Sequence, residues 1–210
     1  MGLAVALLSA PLFIATYRFF SGENRSDPQV VLKELGFWLC FVALLAIVRR
    51  GEKLPVTSIG LRTDRPVRSL LRGLVLAVLA LAVTVGLYLI LQKAGMRLGE
   101  DRAGAFHPSL WVETFVLLRA GVVEETFYRG YAIERLQSLT GSRIVAAVVP
   151  LVIFATAHYR QGLGGILAVF VVGGVFTAFY MKFRDLLANM TGHFLADFGL
   201  NVILPLVSGG

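Results

Sequence analysis

Apolar residues run along this chain in long unbroken stretches, with polar residues gathered between them. Leu3–Phe20, Val30–Val48, Leu70–Leu91, Ile144–Ala157, Gly164–Met181 and Leu186–Val207 meet or approach the ~20 mostly apolar residues that a helix needs to cross a bilayer. A further helix, roughly Ser109–Leu136, starts apolar and carries charge in its middle. The pattern predicts an all-α fold, a polytopic transmembrane bundle of about six to eight helices. A transmembrane barrel would alternate apolar and polar residues over ~10-residue segments, and no such segment is present.

Between the runs, Ser21–Pro28 and Lys93–Pro108 read as loops. Pro55, Gly60 and Pro66 break up the basic connector before the third span. Pro150 is expected to kink its helix, because its ring removes a backbone donor. Gly164, Gly165, Gly173 and Gly174 allow close helix approach. No internal repeat is visible, which argues against a transporter built on inverted repeats.

Composition agrees with the pattern. The 210 residues are 57% hydrophobic and 16% charged, against ~25% charged in soluble domains. A net charge of +7 raises nucleic acid as a partner, but the basic residues cluster in Arg49, Arg50, Lys53, Arg62, Arg65, Arg68 and Arg72, between hydrophobic runs. That is the positive-inside bias, and it points to the bilayer and its anionic headgroups instead. With this loop inside, the loops bearing Arg129, Arg135 and Arg143 and then Lys182 and Arg184 fall on the same side. This orientation leaves His158 near the outer face. Cys40 is the only cysteine, so an intramolecular disulfide and a thiolate metal cluster are both excluded. The first apolar run has no basic residue before it and reads as a membrane helix rather than a cleaved signal. Asn189-Met190-Thr191 matches a glycosylation sequon, but it lies in an apolar segment where no glycan is expected.

Ionisable residues at membrane depth are costly, by ~2.5–3.5 kcal/mol for a charged side chain, and so they mark function. Three clusters stand out: Glu124-Glu125-Thr126-Phe127-Tyr128-Arg129-Gly130, Phe154-Ala155-Thr156-Ala157-His158, and His193-Phe194-Leu195-Ala196-Asp197. Glu125 and Arg129, four apart, can pair along one helix face. Glu124 is turned about 100° away, which leaves it as the reactive carboxylate, able to act as general base or acid. His193 and Asp197, also four apart, share a face on which the carboxylate can orient the imidazole. Glu124, His158 and His193 can then converge in the bundle core, either to polarise a water or to bind one divalent metal, zinc being the first choice. Arg119 and Glu113 are expected to pair or snorkel. There is no His-Glu-x-x-His, Gly-x-Ser-x-Gly or phosphate-cradling loop.

In order and spacing, these clusters resemble the motifs of the CAAX protease and bacteriocin-processing (CPBP, or Abi) family of intramembrane proteases. The family patterns Glu-Glu-x-x-x-Arg, Phe-x-x-x-His and His-x-x-x-Asn/Asp are matched by Glu124, Glu125 and Arg129, by Phe154 and His158, and by His193 and Asp197. Ser58-Ile59-Gly60-Leu61-Arg62 also resembles the connector before that family's core. The resemblance implies an intramembrane metallopeptidase or glutamate peptidase acting on a membrane-embedded or membrane-associated protein or peptide. It gives Glu124 and His158 the task of activating water, and His193 and Asp197 that of stabilising the oxyanion. An ionised Asp197 has no proton to donate, so it fits better as the group orienting His193, with Asn201 one turn on as a candidate amide donor. Residues 1–210 form a single integral membrane domain on this reading, 1–105 supplying the N-terminal helices and connector and 106–207 the catalytic core. The rival readings are a non-enzymatic scaffold or immunity factor of the same fold, a proton- or cation-coupled carrier using Glu124 and Asp197, and a membrane metal oxidase.

Overall fold

Hydrophobic side chains face outward over much of this protein while carboxylates and guanidinium groups lie inside it. On α2 (Asp27–Ala46), Leu39 is 70% exposed, whereas Glu34 is 0% exposed. Lipid is the solvent that makes such an arrangement stable, because the outer leucines need no burial and the inner charges find partners. The computed structural model describes residues 2–21, 26–62, 64–96 and 106–208, with backbone only at 18–21 and 208. The expected loops at Ser21–Pro28 and Lys93–Pro108 lie largely outside the described residues, as does the boundary between 105 and 106.

The described residues are helical, with no strand among them. After α1 (Gly2–Ser21) and α2, a π-helical turn (Ile47–Gly51) and a short 3-10 turn (Val56–Ile59) lead to α3 (Pro66–Lys93). The long charged helix runs without a break as α4 (Leu110–Arg119), a π-helical stretch (Ala120–Tyr131) and α5 (Ala132–Thr140). It is followed by α6 (Arg143–Ala157), α7 (Gly162–Phe183), α8 (Leu186–Phe198), a π-helical turn (Gly199–Ile203) and α9 (Leu204–Ser208). Among the described residues, four helical runs are long and apolar enough to cross a membrane: Asp27–Gly51, Pro66–Lys93, Tyr159–Phe183 and Leu186–Val207. The other predicted spans are two shorter apolar helices, Gly2–Tyr17 and Arg143–Ala157, and the charged run from Leu110 to Thr140. Pro150 lies inside α6, which continues past it to Ala157.

Small residues set the closest helix contacts. α8 lies along α3 and against the π-helical stretch. A side-chain carbon added at Gly73 would come within 2.9 Å of the Ala188 carbonyl oxygen, and one at Gly192 within 2.9 Å of Leu76. One at Gly121 would lie 2.9 Å from the Met190 oxygen and 3.1 Å from the Phe194 nitrogen. At Gly121 and Gly73 the obstacles include backbone atoms, which cannot swing aside; at Gly192 the obstacle is the Leu76 side chain.

One end of the bundle is tied by charge. Arg135 donates to Glu52 (2.7 and 2.9 Å) and to Ser58, and Tyr131 donates to Glu52 as well. Burial pushes the Glu52 carboxyl up, but the hydrogen bonds from Arg135 and Tyr131 prevail and hold it below its usual value. Arg184 pairs with Glu134, and Asp185 accepts from Ser69 and Arg72 at 3.0 Å while capping α8 through Ala188 N–H. The basic connector, α5 and the α7–α8 turn therefore meet at one end, as the charge pattern requires. Gly60, at φ +76°, turns the connector there, and its carbonyl accepts from Leu186 N–H at 2.9 Å.

Gly121→Leu should lower the melting temperature of the detergent-purified protein by several degrees, on the order of the 1–3 kcal/mol that overpacking costs. Gly86→Leu, where an added carbon meets nothing within 4 Å, should leave it nearly unchanged.

Candidate active site

The helix that carries the first motif changes its winding where the charges begin. Over Ala120–Tyr131 it is π-helical, and this wider winding brings residues five apart closer along the axis than an α-helix would, while residues four apart stay neighbours. Arg119 and Glu124 stand five apart, and Arg119 Nη1 donates to Glu124 Oε1. The same guanidinium donates through Nε to Glu34 on α2 and stacks on the Phe37 ring at 4.5 Å. Arg119 was expected to snorkel or pair; it is buried, and its partners are Glu34 and the expected reactive carboxylate.

Glu125 has no exposed surface. Its Oε1 accepts from Arg129 Nη1 at 2.8 Å and faces His193 Nδ1 at 2.9 Å, while Oε2 accepts from Asn189 Nδ2 at 3.0 Å. Arg129 continues to the Gly173 carbonyl at 3.2 Å and lies over the Phe154 ring at 4.4 Å. A carbon added at Gly173 would sit 3.0 Å from Arg129 Nη2, so glycine there makes room for the guanidinium. Glu125 is thus the saturated carboxylate of the pair. Glu124, whose side chain is 18% exposed, has a single partner on Oε1, leaving Oε2 open.

His193 lies between two carboxylates. Nδ1 faces Glu125, and Nε2 lies 3.3 Å from Asp197 Oδ2. Protonated on both nitrogens, this ring would bring Arg129, Glu125, His193 and Asp197 into charge balance. Asp197 sits where the four-residue spacing puts it. Asn201 does not turn its amide toward these groups: it is exposed and donates to the Asp197 carbonyl at 2.8 Å. The π-helical turn Gly199–Ile203 begins between the two residues, so ordinary helical spacing no longer applies to Asn201. The amide that does reach the centre is Asn189, fully buried and also bonded to the Phe176 carbonyl at 3.0 Å. Its signal in the sequence is its place one turn before His193.

His158 closes the C-terminus of α6, and its Nδ1 lies 2.8 Å from the Phe154 carbonyl. A carbonyl only accepts, so Nδ1 carries the proton and Nε2 of the neutral ring holds a lone pair. The ring meets Phe154 edge-on at 4.8 Å, and Phe154 packs on Tyr128 at 5.0 Å. Hydrogen bonds therefore join Glu125, His193 and Asn189, and His193 lies within reach of Asp197. His158 reaches the first motif through the Phe154–Tyr128 contact rather than through a bond to Glu124. Eight residues of α8 separate Asp185 from His193, about 12 Å of rise. His193 and its partners therefore lie at that depth from the basic end.

The expected metal set does not fit this arrangement. Both nitrogens of His193 face carboxylates, and among the described residues no group of three or more His, Cys, Asp or Glu side chains could hold an ion.

Residues 106–199 match the family described as type II CAAX prenyl endopeptidase Rce1-like, a stretch just under half of the 210 residues that contains all three motifs. No curated protein and no solved structure matches the chain. Through this segment the chain is similar to the CAAX protease family, and its apolar helices are long enough to span a bilayer, as an integral membrane protein requires.

Proposed function

We propose that this protein is a multi-pass endopeptidase of the cell membrane that hydrolyses a peptide bond of a membrane-associated protein or peptide, with Glu124 as the general base. The observation that carries this reading is the contrast between adjacent glutamates. Glu125 spends both oxygens on Arg129, His193 and Asn189, whereas Glu124 keeps Oε2 open. Water held between Glu124 Oε2 and the lone pair on His158 Nε2 would lose its proton as it attacks the scissile carbonyl. His193, its Nδ1 held by Glu125, would turn its Nε2–H from Asp197, 3.3 Å away, to the oxygen as it gains charge; fixed donors of this sort act strongly in a site that excludes bulk water. Glu124, once protonated, would return its proton to the leaving amine. No step is routed through a metal, since both nitrogens of His193 face carboxylates.

The name of the matched family suggests the first probe, a quenched-fluorescent farnesylated peptide with a CAAX terminus. Glu124→Gln, His158→Ala and His193→Ala should each lower its cleavage in proteoliposomes by at least ~10²-fold, the usual contribution of general acid–base groups. Undiminished cleavage by Glu124→Gln would overturn the assignment of Glu124 as general base, whereas no cleavage by wild type would favour the scaffold reading. Asn201→Ala should stay within about threefold of wild type, because its amide serves only an exposed backbone carbonyl. Dialysis against a chelator should leave cleavage intact; loss of activity restored by zinc would return Glu124, His158 and His193 to a metal-bound role.

A further inference from the structure

Glu34 and Arg119 are buried charges that this hydrolytic mechanism does not use. Glu34 has no exposed surface, and Arg119 is 8% exposed. Lys33 Nζ lies 3.2 Å from Glu34 Oε1 without hydrogen-bond geometry, so Oε2, held by Arg119, is the bonded oxygen. A buried ion pair is a poor source of stability, because desolvating both charges offsets most of their attraction and an apolar pair often packs as well. Stitching α2 to α4 therefore does not require these residues. What an apolar pair could not do is hold Glu124.

We propose that Glu34 and Arg119 are positioning residues for Glu124, a clamp that makes α2 part of the catalytic apparatus although it lies outside the family-matched segment 106–199. The inference rests on Glu124 being the general base. The guanidinium is held on three sides: Nε by Glu34, one face by the Phe37 ring at 4.5 Å, and Nη1 by Glu124. Glu34 and Phe37 are three apart on α2 and therefore share a face. They fix where Nη1 points, and Nη1 fixes Oε1 of Glu124, so that Oε2 is presented in one direction. A rigid planar fork can divide its donors between two carboxylates in this way; an ammonium is a single point charge and cannot. The π-helical winding places Arg119 beneath Glu124, so the clamp and the unusual helix are one device.

The test compares Glu34→Gln, Arg119→Lys and the double variant Glu34→Gln/Arg119→Gln with wild type in the full-length protein. It measures melting temperature together with kcat and KM on the farnesylated probe peptide. The single variants risk an uncompensated buried charge. The double variant removes both buried charges, with residue 119 two heavy atoms shorter, and should fold with a melting temperature close to wild type. If the clamp positions Glu124, the double variant loses kcat by about 10- to 100-fold, the scale of a misplaced reacting group, while KM changes less than threefold. Arg119→Lys should recover only part of that loss. If the double variant melts normally and keeps full kcat while Glu124→Gln is inactive, the clamp is overturned and the general-base assignment stands. If Glu124→Gln is itself active, the catalytic reading fails and the clamp fails with it.

Discussion

A carboxylate buried at membrane depth dictates much of this architecture. Glu125 has no contact with solvent, and a lone ionised group there would be expelled or neutralised. It is kept by three donors from two helices, Arg129 on its own and Asn189 and His193 on α8. Satisfying it requires α8 to approach the π-helical stretch closely, which explains why Gly121 faces the α8 backbone. Arg129, once committed to Glu125, needs room beside α7, which explains Gly173. The glycines are therefore consequences of one ion pair rather than independent packing preferences.

The same constraint separates two adjacent residues chemically. Neighbours on a helix point in different directions, so a pair of glutamates can face different surroundings without any change of fold. Glu125 is turned inward and fully engaged; Glu124 is turned toward Arg119 and retains an open oxygen. One carboxylate holds the helices together, and its neighbour is left available for chemistry.

Most of this was legible in the chain. The apolar runs gave the helices, and the four-residue spacings of Glu125–Arg129 and His193–Asp197 gave real contacts, because residues four apart stay neighbours in α-helical and π-helical winding alike. Arg119–Glu124 was not legible for a definite reason. On α-helical geometry residues five apart diverge by about 140°, and only π-helical hydrogen bonding, which no local pattern announces, brings them into line. Glu34 was hidden by distance: 85 positions before Arg119, inside an apolar run, it gave no sign of its partner. Asn189 was read as a discounted sequon when its spacing from His193 was the informative relation. Asn201 failed for the same reason that Arg119 was missed, since the helix changes its winding just before it.

The length of α6 has a consequence of its own. Its 15 residues span about 22 Å, while the hydrocarbon core of a bilayer is ~30 Å thick. A short apolar helix is accommodated by local thinning of the lipid around it. His158 closes this helix, so with α6 set across the bilayer the lipid would thin toward that imidazole. Lipid thickness then becomes a mechanical variable of the protein: a thicker or stiffer membrane resists the dimple and buries the histidine, whereas a thinner one brings it within reach of water and of polypeptide lying at the headgroups.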